Sequence, residues 1–361
     1  MKSNLYKAYD RIHPDNTERA KRLSSRLDDL LHLAQSVESP LLRRMKPAMV
    51  VSIKWRFDYL IKTQESPFEL EKDIEHWITI LETFKTLGHL DWFEMDKNSK
   101  IIDPWQRTAQ GFDLGWTTTT EGPKFEASKK IAIDRLEQLY EILGGSNWFS
   151  GKEVLDSGCG PGRYIDEIRK LNPKHIVGLD QGVRLVDVNR ERFKNDDKVE
   201  IVHGTCEDLS RFEDNKFDFV FSNGVIHHTK SDLLTMFKDH QRVLKPGGWM
   251  FIMLVGKGGL ELKVWEFIRD LLNDVPLEQM LEVFGPAVSS LRLQGIVDHM
   301  YGEYQETPRA VFESWCKPLF NRVERVHGVA GLDVTPELFK DDPYFDVRFG
   351  DGANLRYMLQ K

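Results

Sequence analysis

A chain of 361 residues, 40% hydrophobic and 30% charged with a net charge of −7, is long enough for one large or two small domains around a packed core. The acidic balance argues against a general nucleic-acid binder, and no apolar run has the length of a membrane span. The opening Met1-Lys-Ser-Asn-Leu-Tyr-Lys has no signal-peptide core. Cys159, Cys206 and Cys316 form an odd set without metal-ligand spacing, so the expectation is a cytoplasmic protein with reduced thiols and no bound metal.

The first hundred residues read as mostly helical. Leu23, Leu27, Leu30, Leu31, Ala34 and Val37 recur at helical spacing over 17–37. Residues 46–55 fit either a strand or a helix. Ser66-Pro67-Phe68-Glu69 is a helix start, with Ser as cap, Pro in the first turn and Glu able to reach back. Ile74, Trp77, Ile78, Leu81, Phe84 and Leu87 make one face, and Gly88 supplies a stop. Residues 1–62 carry thirteen Lys and Arg against seven Asp and Glu. Solvated helix faces are favoured there over an anion- or RNA-binding surface. These helices also offer a surface for a homo-oligomer.

Residues 101–122 mix aromatics, glycines and small polar residues without period and read as a loop. A helix over 123–143 follows, closed by Gly144-Gly145. Strands are then expected near 152–157, 175–180, 199–203, 217–222 and 249–255, with helices near 162–170, 182–193 and 231–243. Helical patterns interrupt over 257–317, and the last strands fall at 321–327 and 354–360.

The densest signal is Val154-Leu-Asp-Ser-Gly-Cys-Gly-Pro-Gly-Arg-Tyr164, a strand that ends in an acid and three alternating glycines and feeds a helix. The spacing is not the Gly-x-Gly-x-x-Gly of dinucleotide binders, which disfavours a nicotinamide oxidoreductase. On its own it is a tight turn. Four further blocks follow in order: His175-Ile-Val-Gly-Leu-Asp180, Val199-Glu-Ile-Val-His-Gly204 leading to Thr205-Cys206-Glu207, Phe217 to His228, and Val243 to Ile252.

Together, over about 150–256, these blocks resemble the class I S-adenosylmethionine (SAM)-dependent methyltransferases. The nearest flavour is the small-molecule branch that includes the ubiquinone and menaquinone enzymes. The resemblance implies an α/β fold, a Rossmann-like seven-stranded doubly wound sheet with an antiparallel final hairpin. It would carry an N-terminal helical extension, a lid segment at 101–122 and a helical insertion at 257–317, within a methyltransferase domain over 123–361.

By that resemblance Gly158, Cys159, Gly160 and Gly162 let the backbone approach the methionyl part of SAM, and Asp156 faces its ammonium. Asp180 takes the ribose diol, with Gln181 beside it. An acid suits the diol because two oxygens can accept from two hydroxyls. The adenine block departs from the usual Asp-Ala or Asn-Ala, so either the Thr205 hydroxyl replaces the carboxylate or the role passes to Glu207 or Asp208, with the Cys206 N–H offered to the ring, and Asn223 joins the pocket. Asn223-Gly-Val-Ile-His-His228 lacks the Asn-Pro-Pro-aromatic block of enzymes that methylate bases or glutamine. His227 and His228 are candidate proton acceptors. In many relatives the residue at the place of His228 packs beneath the following helix.

Trp105, Phe112 and Trp116 are lid candidates, with Trp116 counted among the substrate contacts. His299, Tyr301 and Tyr304 are the substrate candidates of the insertion. The leading reading is methyl transfer from SAM to a small molecule at O, N, S or C. An RNA methyltransferase using the basic N-terminal region, or a non-catalytic SAM-fold binding protein, are the alternatives.

Overall fold

The computed structural model describes residues 14–37, 40–87, 103–117, 120–277, 280, 284, 296–328, 341–351 and 354–361. The expected stop at Gly88, most of the helical pattern over 277–284 and the His299 side chain lie outside them.

Helices α1 (Pro14–Ser36), α2 (Pro40–Lys62) and α3 (Leu70–Leu87) open the chain. The ambiguity over 46–55 resolves to helix. Met49, Val50, Ile53, Phe57, Leu60 and Ile61 are all buried, which is one helical stripe that the ten-residue window was too short to display. The Ser66 start is real, but its chemistry differs. Pro67–Glu69 is a 3-10 turn in which the Glu69 N–H donates to the Ser66 carbonyl (3.2 Å), so no side-chain cap forms and Ser66 Oγ is buried without a partner.

Residues 104–117, expected as loop, form helix α4 (Pro104–Thr117). Its buried positions, Arg107, Thr108, Gly111 and Gly115, keep helical spacing, but they are polar or small and so carry no hydropathy period. Helix α5 (Gly122–Leu143) ends as expected on Gly144 at φ 87°, whose N–H returns to Tyr140 O. Then β1 (Glu153–Ser157), α6 (Arg163–Ile168), β2 (His175–Asp180), α7 (Val183–Phe193), β3 (Val199–His203), β4 (Phe217–Asn223), α8 (Leu233–Val243) and β5 (Leu244–Val255) alternate. Helices α9 (Leu260–Leu271) and α10 (Arg309–Cys316) precede β6 (Arg322–Arg325), α11 (Phe345–Phe349) and β7 (Asn354–Gln360).

The chain divides into two compact units. One comprises Met1–Pro104, Lys257–Tyr301 and Pro336–Ala353, and the other Trp105–Gly256, Gly302–Thr335 and Asn354–Lys361. In the first, the stripes of α1 (Leu23, Leu27, Leu30) and α3 (Ile74, Leu81) are buried, and α9 buries Val264, Phe267 and Ile268 in the same unit. Among the described residues, five of its basic side chains pair inside the unit: Arg22 with Glu71, Arg26 with Glu75, Lys54 with Asp58, Lys46 with Asp274 at 2.7 Å, and Lys263 with Asp28 at 2.6 Å.

The second unit holds one seven-stranded sheet in the order β3-β2-β1-β4-β5-β7-β6, parallel except for β7, which runs antiparallel to β5 and β6. This is the Rossmann-like doubly wound architecture. The central strands are buried on both faces, as their continuous Val/Leu/Phe runs require: Val154, Leu155, Phe219, Val220, Phe221, Phe251 and Ile252 are all at 0% exposure. Strand order reverses between β1 and β4, so the loops leaving their carboxyl ends flank a crevice. The fifth strand begins earlier than the expected 249, at Leu244, and Lys245–Gly248 form an irregularity within it, where the register against β4 slips between Phe217 and Phe219. Among the described residues no helix is long and apolar enough to cross a membrane, and no group of His, Cys, Asp or Glu could hold a metal ion.

Candidate active site

The crevice is built first by the glycine loop after β1. Gly158, Gly160 and Gly162 sit at φ 81°, 51° and 76°, the left-handed region that a side chain resists. The amide hydrogens of this loop do not reach outward as the sequence suggested. Gly158 N and Cys159 N both donate to Leu179 O (2.7 and 3.0 Å), and Gly160 N donates to Asp180 Oδ2 (2.8 Å). The loop is thus tied to the end of β2. What it offers a ligand is room, since a methyl on Gly160 would meet nothing within 4 Å.

Asp180, at the end of β2, also accepts from Gly182 N through Oδ1 at 2.8 Å. Burial raises its pKa, the Gly182 and Gly160 amides pull it back, and nearby Asp113 raises it again. Asp156, at the end of β1, is 2% exposed, and its Oδ2 is buried with no hydrogen-bond partner. Burial pushes its pKa up to about 7, against the pull of Arg163 and with a further push from Asp180. A carboxylate this isolated asks for a cation or a proton.

Beyond β3, Thr205 Oγ1 accepts from Glu207 N (3.2 Å), and Glu207 Oε1 accepts from Ser231 Oγ at 2.6 Å. Cys206 is buried, which pushes its thiol up to about 12 and keeps it protonated. Burial likewise holds the Cys159 thiol well above its ordinary value. Gln181 is exposed, and its carbonyl lies 3.2 Å from His203 Nε2. Asn223, ending β4, donates to the Tyr164 hydroxyl at 3.3 Å.

The two histidines after β4 divide. His227 is fully buried, and its carbonyl accepts from Gln305 N at 2.7 Å. His228 is half-buried, with Nδ1 2.7 Å from Glu303 O. A carbonyl can only accept, so Nδ1 carries the hydrogen and a neutral ring presents Nε2 as its basic nitrogen. Phe112 of α4 meets the His228 ring edge-on at 4.7 Å, and Tyr304 lies 6.3 Å away on centroids. It is therefore His227, not His228, that has the packed environment.

Helix α4 roofs this edge of the sheet. Thr108 Oγ1 accepts from Glu303 N (2.7 Å), Arg107 lies 3.8 Å from Glu303, and Trp116 carries the Arg163 guanidinium over its ring at 4.6 Å. Tyr304 belongs to this unit. Tyr301 belongs to the other, where it is 2% exposed and donates its hydroxyl to Val275 O at 3.1 Å.

Sequence reasoning missed Asn189 and Asp113. Asn189 is 0% exposed and donates to Gly160 O at 2.7 Å, holding the loop from α7. Its signal was present: it sits on the stripe Leu185, Val186, Phe193, where a polar residue must be paired. Asp113 had no such signal, because α4 itself was unread.

Residues 155–252 match the family model described as a methyltransferase domain. Among curated proteins, the demethylmenaquinone methyltransferase of Staphylococcus haemolyticus is 35% identical over 100 residues, covering 27% of this chain and 41% of its own. The malonyl-[acyl-carrier protein] O-methyltransferase of Marinomonas sp. is 34% identical over 135 residues (37% and 46%). The tRNA U34 carboxymethyltransferase of Nautilia profundicola is 37% identical over 98 residues (27% and 32%). The chain spans less than half the length of these relatives. A solved SAM-dependent methyltransferase from Mesorhizobium loti aligns over 60% of this chain and 99% of its own, at 13% identity and a TM-score of 0.39.

Proposed function

We propose that this chain, a class I SAM-dependent methyltransferase by its domain at 155–252, transfers a methyl group from SAM to a small-molecule acceptor. The observation that carries the reading is Asp156 Oδ2, buried and unpartnered at the switch point of the sheet. An ammonium group would satisfy it, and the open side of Gly160 leaves space for the chain that bears one. Asp180 would take ribose hydroxyls on the lone pairs left by its two amide bonds. Thr205, Cys206 and Glu207 would border the base. Bound there, SAM supplies a methyl already activated by its sulfonium.

The protein's own work is then alignment, exclusion of water and removal of a proton. His228 suits the last task. Its Nδ1 is committed to Glu303 O, which leaves Nε2 as the basic nitrogen of a half-buried ring. Phe112 and Tyr304 hold that ring in place and form the apolar side of an acceptor site. Demethylmenaquinone and malonyl-carrier enzymes among the relatives support a small acceptor.

The tRNA U34 relative favours a second reading, in which the acceptor is RNA. Against it, Arg22, Arg26, Lys46 and Lys54 of the first unit each have an acidic partner within that unit. Incubation with methyl-labelled SAM, a metabolite panel and total tRNA in parallel separates the two. Label is expected in the small-molecule fraction, and label confined to RNA would put the second reading first. In the same assay His228→Ala should lower turnover by about 100-fold, the scale of general-base assistance, with SAM affinity held. The loss should shrink as pH rises if the acceptor can ionise unaided, whereas equal turnover at every pH would remove the base role.

A further inference from the structure

Helix α4 brings a second carboxylate to the crevice, and neither the matched family segment nor the sequence blocks include it. Asp113 Oδ2 lies 3.9 Å from the exposed Arg184, while Oδ1 is buried and makes no hydrogen bond. A methyl placed on Gly182 would meet Asp113 Oδ1 at 2.8 Å and Asp180 Oδ1 at 3.2 Å. Two carboxylate oxygens from different elements therefore converge beside Gly182 at the end of β2. Like charges so arranged repel, and neutral hydroxyl donors between them relieve that cost while meeting the unsatisfied acceptor. A wholly buried, unpartnered carboxylate oxygen, Asp156 Oδ2, lies at the end of the adjacent strand, so the same crevice already calls for a ligand.

We propose that Asp113 closes the nucleoside subsite opposite Asp180 and accepts a hydrogen bond from a ribose hydroxyl of the cofactor. This rests on the SAM reading above and gives the α4 roof a chemical purpose. The helix completes the cofactor site rather than merely covering it. Arg107 and Thr108, by engaging Glu303 a turn and a half earlier, hold α4 in the position this requires.

Calorimetry with S-adenosylhomocysteine, and with its 2′-deoxy and 3′-deoxy analogues, tests the assignment without any turnover. In the wild type, S-adenosylhomocysteine binds. Asp113→Ala should raise its Kd about tenfold, the worth of one hydrogen bond to a charged acceptor. That loss should vanish with the analogue lacking the hydroxyl Asp113 receives. Gly182→Ala is the second variant. Its φ of −74° suits any residue, so the added methyl acts through contact alone, displacing Asp113 Oδ1 and crowding Asp180 Oδ1 and Leu185 Cδ1, and it too should weaken binding. Wild-type affinity in both variants overturns the proposal, as does an Asp113→Ala loss equally large with both deoxy analogues. A wild-type protein that binds no S-adenosylhomocysteine overturns the SAM reading and this inference with it, whereas intact binding with indifferent variants overturns this inference alone.

Discussion

Asp156→Asn is expected to erase a pH dependence of cofactor binding that the wild-type protein shows between pH 6 and pH 8. In the ligand-free protein burial holds Asp156 at about 7, so near pH 6 it is mostly protonated. A ligand ammonium prefers the carboxylate, so binding expels the proton, and affinity rises with pH through that value. The gain from pH 6 to pH 8 is about tenfold for one group at this pKa. Asn keeps the shape without the charge, so its affinity should be lower throughout and nearly flat. The same shift has a sign for stability. A carboxyl raised by folding stabilises the folded state below its unfolded pKa, and that contribution is lost as pH rises through about 7. The ligand-free wild type should therefore lose more stability than Asp156→Asn between pH 5 and pH 8, and saturating cofactor should narrow the gap. Calorimetry in buffers of different ionisation enthalpy counts the released proton directly. A wild-type affinity that is flat over this range would remove the ammonium assignment.

The second large effect is expected at Gly158. An alanine there must hold φ near 81°, and its methyl would lie 2.5 Å from both γ carbons of Val225. The left-handed strain and the forced contact each cost about 1–2 kcal/mol, so Gly158→Ala should destabilise the protein by about 2–4 kcal/mol in urea unfolding. Val225 begins the turn that presents His227 and His228. The same crowding thus couples the glycine loop to the loop that carries the two histidines. Val225→Ala added to Gly158→Ala should relieve the contact but not the strain, with a coupling of about 1 kcal/mol in the double-mutant cycle. Strictly additive losses would mean that the two loops do not press on one another.

The sheet was legible because its information is local. Each strand of the parallel core carries its own apolar run and ends on a turn signal, and β1, β2, β3 and β4 fall within a residue or so of where the runs placed them. The acids at the ends of β1 and β2 were legible for the same reason. Helix α4 was not, since Gly111 and Gly115 are buried without being apolar, and hydropathy registers only the latter. Asp113 went unread with it. The different surroundings of His227 and His228 could not be read either, because the His228 contact is to Glu303, seventy-five residues away. The use of the Gly158, Cys159 and Gly160 amides depends likewise on Leu179 and Asp180, which only the pairing of β1 with β2 brings alongside.

The central claim is that the carboxyl edge of β1, β2 and β4 holds SAM, and titration of the protein with SAM in a calorimeter tests it most directly. One saturable site per chain is expected. Asp180→Ala should weaken it by roughly 1–3 kcal/mol, the cost of removing an acceptor that also anchors the glycine loop. Absence of saturable binding by the folded wild-type chain, or an Asp180→Ala isotherm that overlays it, would contradict the account.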